Sequence, residues 1–410
     1  MSQMTSVIEA GIRPANWTRA LQRTCIQDML VECARPGILS FALGLPAADL
    51  FPASDYLEAV AQVLTTDPQA LQYGPPSASL KQHIVRLMER RGIQCDEEQV
   101  FLTTGSQQSL NLLTRLLLDP GGTVVTEELT YPGYLQVLQP YQPDVLTVPT
   151  CLETGMDVEA VGKMLENGVR PAMIYVMAEG HNPLTVSMSR AKRVHLVELA
   201  RRYCVPIIED DAYGFLHYEG AAEPPLRAFD DEWVIYLGTF SKVLAPALRT
   251  GWMIVPEALT AHLSTIKEAS DINTTTLSQR AIAAYLEAGH LAGHIAMLRH
   301  EYGLRRDTML AALEDHLPQG AAWQKPHSGL FIWVELPDGL DTRDLLRAAI
   351  DQERVAFIPG HAFNASRRNL AANCMRLNFS NSSVNAINDG VARLARVLQN
   401  EGRMKASRGR

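Results

Sequence analysis

The stretch W-V-I-Y-L-G-T-F-S-K (residues 233–242) sets five apolar or aromatic residues in a row, then a glycine, two hydroxyl residues around a phenylalanine, and Lys242. An apolar run without polar alternation reads as a strand covered on both faces, the pattern of a parallel sheet between helices. Similar runs occur at V-F-L-T-T (100–104), T-V-V-T (123–126), A-M-I-Y-V-M (172–177) and V-P-I-I-E (205–209). Helical patterns fall between them, notably Gln107–Leu118 and Arg190–Tyr203. This alternation predicts an open α/β domain with a mostly parallel sheet.

Further out the pattern changes. Residues 1–35 read as a polar arm plus one amphipathic helix over about Trp17 to Cys33, followed by the punctuated loop G-I-L-S-F-A-L-G-L-P (37–46). After about Pro256, long helical stretches precede scattered strands, L-F-I-W-V-E (330–335) and M-R-L-N-F (375–379). The chain therefore divides into an N-terminal arm and helix (1–45) that joins the small domain, a large domain (46–285), a smaller α+β domain (286–400) and a frayed basic tail (401–410).

With 410 residues the chain is long enough for a substantial core without disulfide or metal staples. Its net charge of -8, scattered along the chain, argues against nucleic acid as the main partner. The six cysteines (Cys25, Cys33, Cys95, Cys151, Cys204, Cys374) form no C-x-x-C pair and no zinc-like spacing, so no metal is expected. No apolar run is long enough to span a membrane, and M-S-Q-M-T-S lacks a signal-peptide layout, so a soluble cytoplasmic protein is expected.

In open α/β sheets, ligands gather beyond the carboxyl ends of the strands. Three polar groups stand at such ends: Lys242, the acidic cluster Glu209-Asp210-Asp211 with Tyr213, and H-N-P (181–183). A lysine that must react with a carbonyl needs a desolvated pocket to lower its pKa. A carboxylate beside it suits a pyridinium nitrogen. Each feature alone is commonly a solvated loop lysine, a helix cap or a turn; their order in one chain is what points to chemistry.

That order resembles the fold-type-I pyridoxal-phosphate aminotransferases of class I/II, within them the 2-aminoadipate and aromatic aminotransferase branch. The motifs are S-F-A-L-G-L-P-A-A-D-L-F-P (40–52), Q-Y-G-P (72–75), T-T-G-S-Q-Q (103–108), T-Y-P-G-Y (130–134), H-N-P (181–183), I-I-E-D-D-A-Y-G (207–214), G-T-F-S-K-V-L-A-P-A-L-R-T-G (238–251) and M-R-L-N-F-S (375–380). The resemblance implies an aspartate-aminotransferase-like fold and a pyridoxal 5'-phosphate cofactor held by Lys242 as a Schiff base. It gives Asp210 to the pyridine nitrogen, and Tyr213 and Asn182 to the phenolate oxygen. Ser106, Gln107, Thr239, Ser241 and Arg249 go to the phosphate, and Tyr131 to the cofactor ring. Arg376 is matched to the substrate α-carboxylate, and Tyr73 to the phosphate of a partner subunit, which implies a homodimer with shared sites.

The chain also departs from the family. Ala178 and Leu184-Thr185 interrupt the usual P-x-x-Q/H-N-P-T-G, and Ala247 replaces a usual glycine. Leu43-Gly44 stands where relatives have Gly-Gly, and Gln27 where an arginine on the N-terminal helix can face a distal carboxylate. These departures place Leu43, Gly44 and Gln27 on the substrate side and disfavour long dicarboxylic amino acids such as 2-aminoadipate, unless Arg19 or Arg23 reaches the pocket instead. The implied activity is exchange of an amino group between an L-amino acid and a 2-oxo acid by a ping-pong route. The alternatives are another reaction in the same fold (β-elimination, oxidation, cyclisation) or an effector-sensing regulator domain.

Overall fold

The structure, a computed structural model, describes residues 11, 13–21 and 23–408. The apolar runs pair into one seven-stranded sheet: β1 (Val100–Thr103), β2 (Thr123–Glu127), β3 (Asp144–Val148), β4 (Met173–Val176), β5 (Ile207–Asp210), β6 (Val234–Thr239) and β7 (Gly251–Ile254), in the order β1-β7-β6-β5-β4-β2-β3. Successive residues of one strand face two different cores. Met173 and Tyr175 pack into one, Ile174 and Val176 into the other. That explains why the runs are apolar throughout rather than alternating.

All neighbours in this sheet are parallel except β7, which is antiparallel to both β1 and β6. The reversal has a purpose in the architecture. Gly251 pairs with Thr103 and with Thr239, so β7 starts at the edge where β1 and β6 end. The residues just before it, including Arg249, are thereby delivered to the carboxyl ends of the parallel strands.

A second, antiparallel sheet of β8 (Ala322–Trp323), β9 (Phe331–Glu335), β10 (Ile358–Pro359) and β11 (Cys374–Asn378) runs β8-β9-β11-β10. Leu39–Ser40 pairs in parallel with Val355–Ala356, which attaches the N-terminal segment to this half of the molecule.

One expectation is corrected. The single helix over Trp17 to Cys33 is instead a 3-10 turn (Asn16–Ala20) and a separate helix α1 (Cys25–Cys33). Thr24 starts the latter by accepting a hydrogen bond from the Gln27 amide at 3.4 Å, the role of an N-cap. At the other end, the last helix runs Val384–Arg408.

Gly251 is where two backbones meet. A Cβ on it would stand 2.8 Å from the Gly238 carbonyl oxygen and 3.0 Å from the Gly105 Cα, neither of which can rotate away. Gly251→Ala should therefore destabilise the fold by about 1–3 kcal/mol, as overpacking does. Urea unfolding measures it, and an unchanged midpoint would show that the strands separate at no cost.

Candidate active site at the strand ends

The carboxyl ends of β1, β4, β5 and β6 open onto a cavity of about 220 Å³. Leu43, Gly44, Ser106, Gln107, Tyr131, Asn182, Asp210, Tyr213, Thr239, Ser241, Lys242, Arg249 and Arg376 all line it. Thirteen residues named from the sequence thus come together. Two do not: Gln27 is exposed on α1, and Tyr73 is 75% exposed and lines a different cavity.

Asp210 is buried at the end of β5. Its Oδ2 accepts a hydrogen bond from the Tyr175 hydroxyl at 2.9 Å, and its Oδ1 is buried with no hydrogen-bonding partner. Burial pushes its pKa up to about 6 and the neighbouring Asp211 adds to the rise, while the Tyr175 bond and the Lys242 charge pull it back. Asp211, by contrast, is engaged elsewhere. It accepts from Arg91 at 2.8 Å and from the Tyr236 hydroxyl at 2.9 Å. Both carboxylates keep a buried Oδ1 without a hydrogen-bond partner, but of the pair only Asp210 lines the cavity. A buried lone acceptor is costly unless a donor reaches it, so this floor suits a ring N–H.

Lys242 donates from Nζ to the Gly44 carbonyl at 2.8 Å. Burial first, then the nearby Arg376 and Arg249 charges, lower its pKa to about 8, with Asp210 opposing the shift. The amine is thus far closer to its neutral, nucleophilic form than a solvated lysine.

The anion end is built from a helix start and an arginine. Gly105, with φ 83°, precedes the helix α2 (Ser106–Leu117), whose first two residues line the cavity, and the first N–H groups of a helix lack partners within it. Arg249 donates to the Thr104 carbonyl at 3.1 Å and to the Pro246 carbonyl at 3.2 Å. Thr239 and Ser241 join through their hydroxyls at 3.0 Å. Tyr131, whose phenol is pushed up to about 12 by burial, donates to Gln107 Oε1 at 3.3 Å. A dianion with an aromatic ring attached fits this layout.

Arg376 sits on β11, buried, with its guanidinium 3.9 Å from the Phe331 ring centre and 4.8 Å from that of Phe363. It donates to Asn182 Oδ1 at 2.6 Å and to the Ala42 carbonyl at 2.7 Å. Stacking between two rings fixes the plane of the fork. Its bond to Asn182 Oδ1 leaves the Asn182 amide nitrogen as the donor toward the cavity.

The sequence reading missed Met177, Ala212, Pro246 and Phe331, which also line the cavity. Phe331 had a signal: it opens the L-F-I-W-V-E strand, and that strand pairs with the one carrying Arg376. Among the described residues, no group of three or more His, Cys, Asp or Glu could hold a metal ion, and no helix is long and apolar enough to cross a membrane.

The sequence profile of the family described as aminotransferase class I and II matches residues 39–394. The chain is 37% identical over 385 residues to aromatic-amino-acid aminotransferase 1 of Thermococcus litoralis, covering 92% of this chain and 91% of that protein. It is 35% identical over 401 residues to the 2-aminoadipate transaminase of Thermus thermophilus, covering 95% and 98%. The crystal structure of Pyrococcus horikoshii kynurenine aminotransferase, a complex with PMP, superposes with a TM-score of 0.90 at 35% identity over 97% of this chain and 99% of that one. The fold is therefore the aspartate-aminotransferase-like one that the sequence resemblance implied.

The lowered lysine pKa has a direct consequence. Covalent capture of pyridoxal 5'-phosphate by the apo-protein, trapped with borohydride and mapped to Lys242, should speed up with pH around a midpoint near 8. A midpoint near the ordinary lysine value of about 10.4 would mean that Lys242 is solvated.

Proposed function

The chain belongs to the class I and II aminotransferases, and from that premise we propose that Lys242, Asp210 and Arg376 are the reacting core of its pyridoxal-5'-phosphate site. The enzyme exchanges an amino group between an amino acid and a 2-oxo acid. The observation that carries the site assignment is the open Oδ1 of Asp210 in the same cavity as a lysine with a pKa lowered to about 8.

When bound, pyridoxal 5'-phosphate supplies an aldehyde carbon and a protonated ring that withdraws electrons from the substrate's α-carbon. The residues have distinct tasks. Asp210, with a pKa of about 6 and so mostly ionised at neutral pH, would hold the proton on the ring nitrogen, because a proton shared with a buried carboxylate is harder to lose. Tyr175 keeps the other oxygen in place. Lys242 would hold the cofactor covalently, and its amine, with a pKa lowered to about 8, suits carrying a proton to and from the substrate's α-carbon. Arg376 receives the α-carboxylate through its fork, which the two phenylalanine rings hold flat. Tyr213 and the Asn182 amide would serve as donors to the cofactor's phenolate oxygen. Ser106, Gln107, Thr239, Ser241 and Arg249 would hold the phosphate, and Tyr131 would pack on the ring.

The protein acts as a homodimer in the cytoplasm, with Tyr73 completing the partner's site. Its exposure on the single chain, together with that of Leu71 and Ile272, supports this reading. Leu43, Pro246 and Phe331 make part of the cavity wall apolar, which favours amino acids with neutral side chains.

A half-reaction screen tests the function: purified holoenzyme is mixed with single amino acids while the cofactor band and the released oxo acid are followed. Asp210→Asn should keep the cofactor and lose about a hundredfold or more in turnover, because an amide cannot hold the ring proton. Turnover near that of the unaltered enzyme would remove Asp210 from the core. In steady state, leucine, methionine and phenylalanine should exceed 2-aminoadipate and glutamate in kcat/KM. A clear preference for 2-aminoadipate would mean that Leu43 does not set the side-chain pocket.

A further inference from the structure

Behind the anion end of the cavity lies a charged cluster that none of the roles above uses. Asp271 closes the helix Glu257–Asp271. Its Oδ2 accepts from the Thr104 hydroxyl at 2.8 Å and from Gln108 Nε2 at 2.6 Å, and its Oδ1 accepts from Lys267 Nζ at 2.8 Å. Gln108 Oε1 in turn accepts from the Thr104 backbone N–H at 2.8 Å and from Lys267 Nζ at 2.9 Å. The four side chains therefore close a ring in which every group has a defined direction. We propose that Asp271 is a positioning residue that fixes the phosphate cradle without touching the ligand.

Three polar atoms of Thr104 are held at once. Its hydroxyl goes to Asp271, its N–H to Gln108, and its carbonyl receives Arg249 Nη2 at 3.1 Å. The next residue, Gly105, is packed so closely on Arg249 that a Cβ there would lie 2.6 Å from the same Nη2. A displacement of residue 104 by a few tenths of an ångström would thus move both halves of the cradle together, the amides at the start of α2 and the guanidinium. Charge is arranged to match. A bare carboxylate this near a phosphate would repel it, but Lys267, itself buried, neutralises Asp271 through two short contacts of 2.8 and 3.0 Å. What remains at the cradle is geometry without an opposing field.

The inference rests on the cofactor reading above, because the cradle must face a phosphate. It differs from a purely structural role in what it predicts: the loss should be confined to the phosphate group of the ligand. The experiment compares equilibrium binding of pyridoxal 5'-phosphate and of pyridoxal, which lacks the phosphate, to the apo-forms of the unaltered protein, Asp271→Ala and Thr104→Val. In Asp271→Ala the affinity for the phosphate ester should fall about tenfold or more, the effect of losing one charge-assisted bond, while that for pyridoxal changes by less than about twofold. Thr104→Val, which removes only the hydroxyl at nearly constant volume, should show the same selectivity loss at smaller size, and it decides the matter if Asp271→Ala does not fold. Equal weakening of both ligands, or unaltered selectivity, would overturn the inference alone. An unaltered protein that binds pyridoxal as tightly as its phosphate would overturn the cofactor reading, and the inference with it.

Discussion

A carboxylate oxygen buried without a donor is among the least favourable arrangements a protein interior can hold, and Asp210 Oδ1 is such an oxygen. Much around it serves to keep its charge. Tyr175 donates to the second oxygen, Lys242 contributes positive potential, and Arg91 with Tyr236 ties up the adjacent Asp211, so that the two neighbouring carboxylates do not compete for one donor. The parallel sheet is what makes this placement possible. It sets the end of β5 between the ends of β4 and β6, where the strand backbones on either side shield the residue from solvent.

The same sheet explains what could be read from the amino-acid sequence. The buried strands were legible because both their faces meet cores, so their apolar residues run on without polar alternation, and the helix Arg190–Tyr203 has the limits its pattern indicated. β7 was not legible, since G-W-M-I is short and nothing in its composition records that it runs against its neighbours. β3 carries aspartate and threonine on a half-exposed edge, which blurs the apolar signal. The N-terminal helix was misread because Thr24 is an ordinary residue in a helical pattern until its hydroxyl caps a new one.

For the site, the legible residues are those whose chemistry is confined to strand ends: Lys242, Asp210, Arg249 and the hydroxyls Thr239 and Ser241. What escaped is the surrounding matter that acts through shape or through other residues. Phe331 and Phe363 look like any core phenylalanine in the sequence, yet they orient Arg376. The carbonyls of Ala42 and Gly44 carry no side-chain signature at all, yet they receive Arg376 and Lys242. Gln27, chosen by alignment to a helix that starts elsewhere than expected, is exposed on α1 and lies outside the cavity of this chain.

That short backbone segment, Ala42 to Gly44, joins two functions that are usually discussed apart. The Ala42 carbonyl holds Arg376, the proposed carboxylate-binding group, and the Gly44 carbonyl holds Lys242, the proposed reactive amine, while the Gly44 Cα lies so close to Phe331 that a Cβ would stand 2.9 Å from that ring. Substrate range and turnover are therefore not independent traits here. Leu43 lies between the two acceptors, so, on the proposed function, a substitution there that displaces the backbone would disturb substrate recognition and the reacting amine together.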